Sequence, residues 1–264
     1  MISDQRIDSG KVFDWGRASG DYARYRDIYP EEFYDRIAAE GLCTKGQRVL
    51  DLGTGTGVLP RNMYRHGALF TGTDIAENQI KEAIRLSQEA GMDIAYQCCA
   101  AETLEYAANS FDVVTACQCF FYFQHEVIAE KLYSLLKPGG KLVILYMAWL
   151  PFEDPVAGES EKLILKYNPA WSGCGEVRRI IGIPDIYKNF FEVEKETVYD
   201  LQVPFTRATW NGRMRACRGI GASLTEEKIT QFSREHAELL DRIAPVEFGV
   251  LHYAAMSILK VKNL

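Results

Sequence analysis

Residues 49–59 read V-L-D-L-G-T-G-T-G-V-L, an apolar run carrying Asp51 and then glycines at the alternate positions Gly53, Gly55 and Gly57. Glycines between a strand and a helix let the backbone come close to a ligand and aim amide N–H groups at it, so the expected guest is a carboxylate or a phosphate. A dinucleotide turn reads G-x-G-x-x-G, whereas here the third glycine arrives one residue early, and the lysine of a nucleoside-triphosphate loop is missing. Asp51 sharpens the choice. Two residues before the first glycine it would repel a pyrophosphate, yet it suits a ligand that carries a positive amine beside its carboxylate. The run T-G-T-D then ends in Asp74, about 20 residues on, where an acid holds ribose hydroxyls. Two acids and a glycine turn describe an amino-acid-plus-ribose ligand. The competing role for Asp74 is a cap on the helix that opens A-E-N-Q-I.

The elements that must position these residues follow from Arg48 onward. Strand R-V-L-D-L is followed by a helix over about 57–66, strand L-F-T-G-T-D, helix A-E-N-Q-I-K-E-A-I-R-L-S-Q-E-A-G and strand D-I-A-Y-Q-C-C. Strand F-D-V-V-T-A-C-Q, helix H-E-V-I-A-E-K-L-Y-S-L-L, the turn K-P-G-G and strand K-L-V-I-L-Y-M-A come next. Apolar strands alternating with helices predict a parallel sheet covered on both faces. Upstream, residues 11–40 carry aromatic and apolar residues at mostly helical spacing, broken at Pro30, which predicts two helices. After Ala148 the rhythm changes. Residues 149–189 are rich in Trp, Pro and Gly with one helical patch at S-E-K-L-I-L-K-Y, then F-F-E-V-E-K-E-T-V-Y-D-L-Q-V alternates like an edge strand. An amphipathic helix T-E-E-K-I-T-Q-F-S-R-E-H-A-E-L-L-D-R-I and a strand F-G-V-L-H-Y-A-A-M-S-I-L-K close the chain, which reads as one domain with an inserted cap.

Composition bounds the partners. A net charge of −6 over 264 residues argues against nucleic acid, whose binding draws on neutralised phosphates. The start of the chain has no apolar leader and no stretch is long enough for a membrane span, so the expectation is a cytoplasmic protein with no membrane partner, acting on a small molecule. Seven cysteines without C-x-x-C spacing read as reduced, small core residues.

The order V-L-D-L-G-T-G-T-G, G-T-D-I-A-E-N-Q-I, A-A-E-T-L, F-D-V-V-T-A-C-Q, L-K-P-G-G-K-L-V-I resembles the class I S-adenosylmethionine-dependent methyltransferases over about residues 48–147. The resemblance implies a Rossmann-like α/β fold: seven strands, mostly parallel, helices on both faces, an antiparallel last strand and an inserted helical cap. It divides the chain into a helical cover over 1–45, a cofactor core over 46–148, a substrate cap with the sixth strand over 149–245 and a final strand over 246–264. By the same resemblance the cofactor is S-adenosyl-L-methionine. Asp51, Gly53, Thr54, Gly55 and Gly57 would surround its methionine part, Asp74 its ribose, and Ile75, Gln79, Ala101 and Glu102 its adenine side. Cys117 and Gln118 would lie beneath the sulfonium. The segment Y-A-R-Y-R-D-I-Y-P-E-E-F is similar to the N-terminal segment of small-molecule methyltransferases of the trans-aconitate and related groups, including ubiquinone biosynthesis, where it folds over the cofactor, so Tyr22, Tyr25 and Arg26 are candidates for the cofactor's outer wall.

An activated sulfonium asks the protein mainly to hold a nucleophile in line with the methyl group, and a general base is optional. Many relatives carry a histidine and tryptophan after the fourth strand. Here the stretch is F-F-Y-F, with Phe121 at the histidine's place, which leaves Tyr122 and His125 as the nearby polar candidates for catalysis. His125 alternatively starts a helix, and His66, His236 and His252 lack metal-ligand spacing, so no metal is expected. In the cap, Trp149, Trp171, Trp210, Arg213 and Arg218 are the candidate substrate residues, with the arginines suited to a carboxylate-bearing acceptor. The oligomeric state is open between monomer and homodimer. The competing functions are an NAD-dependent oxidoreductase, disfavoured by Asp51 and the glycine spacing, and a non-catalytic S-adenosylmethionine-binding protein.

Overall fold

Strand β1, Arg48–Leu52, is buried at every position after Arg48, which is what a strand covered on both faces and flanked on both edges requires. A computed structural model of the chain, describing residues 5, 7–14 and 24–262, places it at the centre of a seven-stranded sheet of order β3-β2-β1-β4-β5-β7-β6. The other strands are β2 (Leu69–Asp74), β3 (Ala95–Cys98), β4 (Phe111–Cys117), β5 (Leu136–Trp149), β6 (Phe191–Thr206) and β7 (Glu247–Val261). Pairing is parallel from β3 through β5, and the antiparallel strands come last. The register sets Asp51 between Gly72 of β2 and Thr115 of β4.

The chain divides into two compact units. The sheet unit comprises Pro30–Met147, Arg179–Tyr199 and Ala254–Leu264. Its helices are α1 (Glu31–Ala39), α2 (Val58–Met63), α3 (Glu77–Glu89) and α4 (His125–Leu135), each where the apolar spacing predicts a helix. Helix α1 opens behind Pro30 with Glu31 and Glu32 in its first turn, where acids favour the helix dipole. The earlier of the two expected N-terminal helices falls largely outside the described residues.

The helical unit comprises Met1–Tyr29, Ala148–Arg178 and Asp200–Tyr253, with helices α5 (Pro155–Tyr167), α6 (Arg207–Arg215) and α7 (Glu226–Ile243). Asp154 fixes the start of α5: one carboxylate oxygen accepts from Val156 N and Ala157 N at 3.0 Å each, and the other accepts from Leu251 N at 2.8 Å. Helix α6 was not among the predicted elements. Its signal is the pair Thr206 and Thr209, which cap each other reciprocally, and the low apolar content of R-A-T-W-N-G-R-M-R hid it. The core of this unit is Trp210, fully buried, with its indole N–H donating to the Ser160 hydroxyl at 2.9 Å. Burial pushes His236 down to about 4, so it is neutral. With its proton on Nδ1 it donates to Asn211 Oδ1 at 3.0 Å, and Nε2 accepts from Ser160 at 2.9 Å. All seven cysteines are free thiols.

Candidate functional site

The glycine turn leaves β1 through three left-handed residues, Gly53, Gly55 and Gly57, at φ 56°, 57° and 74°. At two of them a side chain would also collide. A Cβ on Gly53 would lie 2.6 Å from the Cys119 Cβ, and one on Gly57 would lie 2.3 Å from the Tyr96 hydroxyl, itself held 2.9 Å from the Ser87 hydroxyl. The turn is tied to β2 twice. Thr54 N donates to the Thr73 carbonyl at 2.8 Å, and Gly55 N donates to Asp74 Oδ2 at 2.9 Å. Asp74 Oδ1 accepts from Ala76 N at 2.8 Å, immediately before α3 begins at Glu77. One carboxylate thus anchors the approach to α3, the competing role weighed for it, and also braces the glycine turn.

Asp51 is buried, and Thr115 donates to its Oδ1 at 2.6 Å, as the β1–β4 register demands. Burial pushes its carboxyl up to about 7; the Thr115 and Thr54 hydroxyls pull the other way, and the Asp74 carboxyl adds to the rise. Among the described residues no cation is one of the groups that act on it. Burial likewise raises Asp74 against the N–H groups of Ala76, Gly55 and Ile75. Beside Asp74, the Ile75 side chain is 61% exposed, an open apolar surface next to a polar anchor. The Thr56 hydroxyl is buried within the turn with no hydrogen-bond partner among the described residues. Among the described residues, a buried acid facing no cation, a hydroxyl without a partner and an exposed isoleucine fit a ligand that brings a positive group, hydrogen-bonding capacity and a flat apolar part.

The remaining expected ligands are distributed unevenly. Gln79 is buried in α3, and Ala101 is buried in the turn after β3. The Glu102 carboxylate accepts from Gln124 N at 2.9 Å, and its carbonyl accepts from Lys131 Nζ at 2.7 Å, so Glu102 ties the loop after β3 to the start of α4. Cys117 and Gln118 are half-buried at the end of β4. Tyr122 ends the helical turn Phe120–Tyr122 and is half-exposed. His125 opens α4 with its Nδ1 3.2 Å from the Tyr187 hydroxyl and its ring 4.7 Å from that of Phe120, packed among aromatics. Tyr22 lies outside the described residues. Arg26 belongs to the helical unit, where its charge acts on the Cys217 thiol.

All five candidate substrate residues also fall in the helical unit. Trp149 donates to Glu161 Oε1 at 2.7 Å, Gly175 N donates to Glu161 Oε2 at 2.9 Å, and burial raises the Glu161 carboxyl. The Arg213 guanidinium sits over the Trp149 ring at 5.1 Å, and the rings of Trp171 and Trp210 stand 6.3 and 5.7 Å from that of Trp149. The anion that Arg218 grips is Asp8, its Nε 3.0 Å from Oδ2, with Ser172 N and Oγ donating to Oδ1 at 2.7 and 2.9 Å. Asp8 is 2% exposed. Removing one partner of a buried pair leaves a bare charge and costs about 3 to 5 kcal/mol. Arg218→Met is therefore expected to lower the unfolding midpoint by roughly 10 °C. An unchanged midpoint in a thermal melt would return Arg218 to the candidate substrate ligands.

Sequence reasoning passed over Thr115, Tyr96 and Cys119. Thr115 could have been found, since V-L-D-L and V-V-T-A enter the sheet as adjacent parallel strands. The others depend on side-chain packing that spacing does not encode.

Residues 50–144 match the family model Methyltransf_11, described as a methyltransferase domain. Over 152 residues the chain is 30% identical to the ubiquinone biosynthesis O-methyltransferase of Coxiella burnetii strain RSA 331, covering 53% of this chain and 63% of that protein. The corresponding protein of Idiomarina loihiensis is 42% identical over 102 residues, 37% of this chain and 41% of the relative. The chain thus spans less than two thirds of the length of these curated relatives. Among solved structures, the YcgJ protein from Bacillus subtilis aligns with TM-score 0.52 at 18% identity, over 89% of this chain and all of that one. A Haemonchus contortus phosphoethanolamine N-methyltransferase, in complex with phosphomonomethylethanolamine and S-adenosylhomocysteine, aligns with TM-score 0.55 at 20% identity, over 94% of this chain and 58% of that one. At these identities the structural likeness establishes the fold.

Proposed function

We propose that residues 50–144, which match a methyltransferase domain model, form an S-adenosylmethionine-dependent core of the class I type and that the whole chain transfers a methyl group from S-adenosyl-L-methionine to a small molecule. The observation that supports this most is Asp51, a buried carboxyl that no cation among the described residues faces, followed directly by three left-handed glycines. When bound, the cofactor supplies a methyl group on a positive sulfur, already activated for attack. The chain's own residues bind and orient. Asp51 takes the ammonium end, the backbone of residues 53–57 faces the carboxylate, Asp74 holds the ribose hydroxyls, and Ile75 lies under the adenine with Gln79, Ala101 and Glu102 beside it. The end of β4, at Cys117 and Gln118, borders the reacting methyl group, and Tyr122 stands next on the turn.

The oxidoreductase reading is not favoured, because the third glycine is early and Asp51 would face a pyrophosphate. A non-catalytic binding protein is not favoured either, given the methyltransferase relatives. Among the described residues no helix is long and apolar enough to cross a membrane. We place the protein in the cytoplasm, without nucleic acid as a partner, as a monomer or homodimer, and assign acceptor choice to residues 149–245.

A thermal melt with S-adenosylhomocysteine, with NAD in parallel, tests the cofactor. A ligand at 100 times its dissociation constant adds about 2.7 kcal/mol, and for a chain of this size the midpoint should rise by roughly 5 to 10 °C. A rise with NAD alone would replace this function with the oxidoreductase.

A further inference from the structure

The carboxylate of Asp8 is held in the helical unit by donors far along the sequence. Asp8 Oδ1 accepts from Ser172 N at 2.7 Å, from the Ser172 hydroxyl at 2.9 Å and from Arg218 Nη2 at 3.1 Å. Three donors on one oxygen, one of them a guanidinium, make a built anion site.

That site is assembled without Asp8. Asn168 Nδ2 donates to the Gly219 carbonyl at 2.9 Å, and Trp171 N donates to the Asn168 carbonyl at 3.1 Å, so the loop carrying Ser172 is tied to the one carrying Arg218. The Trp171 ring seals the join. A Cβ on Gly173 would lie 2.6 Å from its Nε1, and one on Gly219 would lie 2.9 Å from the ring. The Ser223 hydroxyl fixes the Arg218 carbonyl at 2.7 Å. None of these contacts uses an atom of residues 7–14.

The strap formed by residues 7–14 fits the site imperfectly. It enters through two consecutive left-handed residues that are not glycine, Asp8 at φ 49° and Ser9 at φ 55°, a conformation kept only where the surroundings enforce it. Although Arg218 Nε stands 3.0 Å from Asp8 Oδ2, that buried oxygen accepts no hydrogen bond among the described residues. The same guanidinium lies over the buried Phe13 ring at 5.7 Å, and Asp14 N donates to the Ala222 carbonyl at 2.9 Å. The strap thus offers Arg218 a carboxylate and an aromatic ring together, at the high local concentration a short tether gives.

We propose that Ser172 and Arg218 form a carboxylate-binding site that the strap fills in place of a ligand, and that the ligand is a small molecule joining a carboxylate to a flat apolar body. On binding it displaces Asp8 and Phe13 and frees residues 7–14. Without a strained backbone behind it, such a carboxylate can turn both oxygens to Nε and Nη2, the bidentate pairing that arginine offers. The site lies wholly within the helical unit and shares no residue with the glycine turn, Asp51 or Asp74.

The test uses 3-phenylpropionate, with 3-phenylpropanamide as its uncharged match and propionate as the carboxylate without a ring. No S-adenosylhomocysteine is added, so the outcome is independent of the methyl-transfer reading. Saturating 3-phenylpropionate should speed amide hydrogen exchange at Asp8 and Asp14 of the wild-type protein by about tenfold, while Trp171 N exchanges as before. Because the closed strap lowers the apparent affinity, Asp8→Ala should bind 3-phenylpropionate about tenfold more tightly than wild type, and Asp8→Asn should shift in the same direction. Propionate and the amide should each bind more weakly than 3-phenylpropionate to both forms. No binding of 3-phenylpropionate, unchanged exchange at Asp8 and Asp14 under saturation, acid and amide binding alike, propionate binding as tightly as 3-phenylpropionate, or no gain in affinity in either Asp8 variant would each overturn the proposal. The exchange measurement needs no variant, so it decides even where a substitution at Asp8 prevents folding.

Discussion

Asp74→Ala is expected to weaken S-adenosylhomocysteine binding by two orders of magnitude or more in a calorimetric titration. The carboxylate accepts from Gly55 N and Ala76 N, at 2.9 and 2.8 Å. Hydrogen bonds to a charged group are worth about 1.5 to 3 kcal/mol each, so losing both releases the glycine turn from β2 before any ribose contact is counted. Two orders of magnitude correspond to about 2.8 kcal/mol, within what one of these bonds supplies. Asp74→Asn should fall between, because its one amide oxygen can serve only one of the two N–H groups well. An unchanged affinity in Asp74→Ala would reduce Asp74 to a helix cap.

A second large effect is expected at Asp51, and its sign depends on whether the ligand is present. The folded carboxyl titrates at about 7 against an ordinary 3.8, so folding favours its protonated form. Below about pH 4 the group is protonated in both states and contributes nothing. As pH rises from about 4 to 7 the unfolded chain ionises first and the fold loses about 4 kcal/mol, a cost that stays constant above 7. Asp51→Asn should therefore melt several degrees above wild type at pH 8.5 and level with it at pH 4. In the presence of S-adenosylhomocysteine the order should reverse, because the variant has no charge for the ligand's ammonium group and loses about a hundredfold in affinity. Wild-type binding near neutral pH should release a proton, visible as a dependence of the binding heat on buffer. A variant that is no more stable than wild type at pH 8.5 would show that burial does not raise the Asp51 carboxyl in the free protein.

Much of the sheet unit was legible because its strands and helices keep distinct periods and its turns carry glycine at the required places. The motifs around Asp51 and Asp74 come together because β1 and β2 are adjacent and parallel, which the alternation of elements already implies. The helical unit was less legible for physical reasons. Helix α6 is short and polar and is held by the Thr206–Thr209 cap and by the burial of Trp210, a tertiary effect invisible to periodicity. Arg218 looked like a free clamp for a substrate, and nothing in the spacing shows that Asp8, 210 residues away, fills it. Gln118 was read as a cofactor neighbour from its place after β4. Its left-handed backbone and its bond to Met147 could be seen only once β5 was in register beside it.

The sheet order also bears on how the chain reaches its native state. Strand β6 joins the sheet only through β7, which lies between it and β5. While the chain is being synthesised, β1 to β5 can pair as they emerge, but β6 has no seat until residues 247–261 arrive. During that interval β5 presents an unsatisfied edge, and β6 waits as a detached ribbon whose exposed stretch reads E-V-E-K-E, charged enough to discourage premature pairing. The last strand made is thus the wedge that completes two interfaces at once, and a nascent chain halted before it would carry an open, aggregation-prone seam.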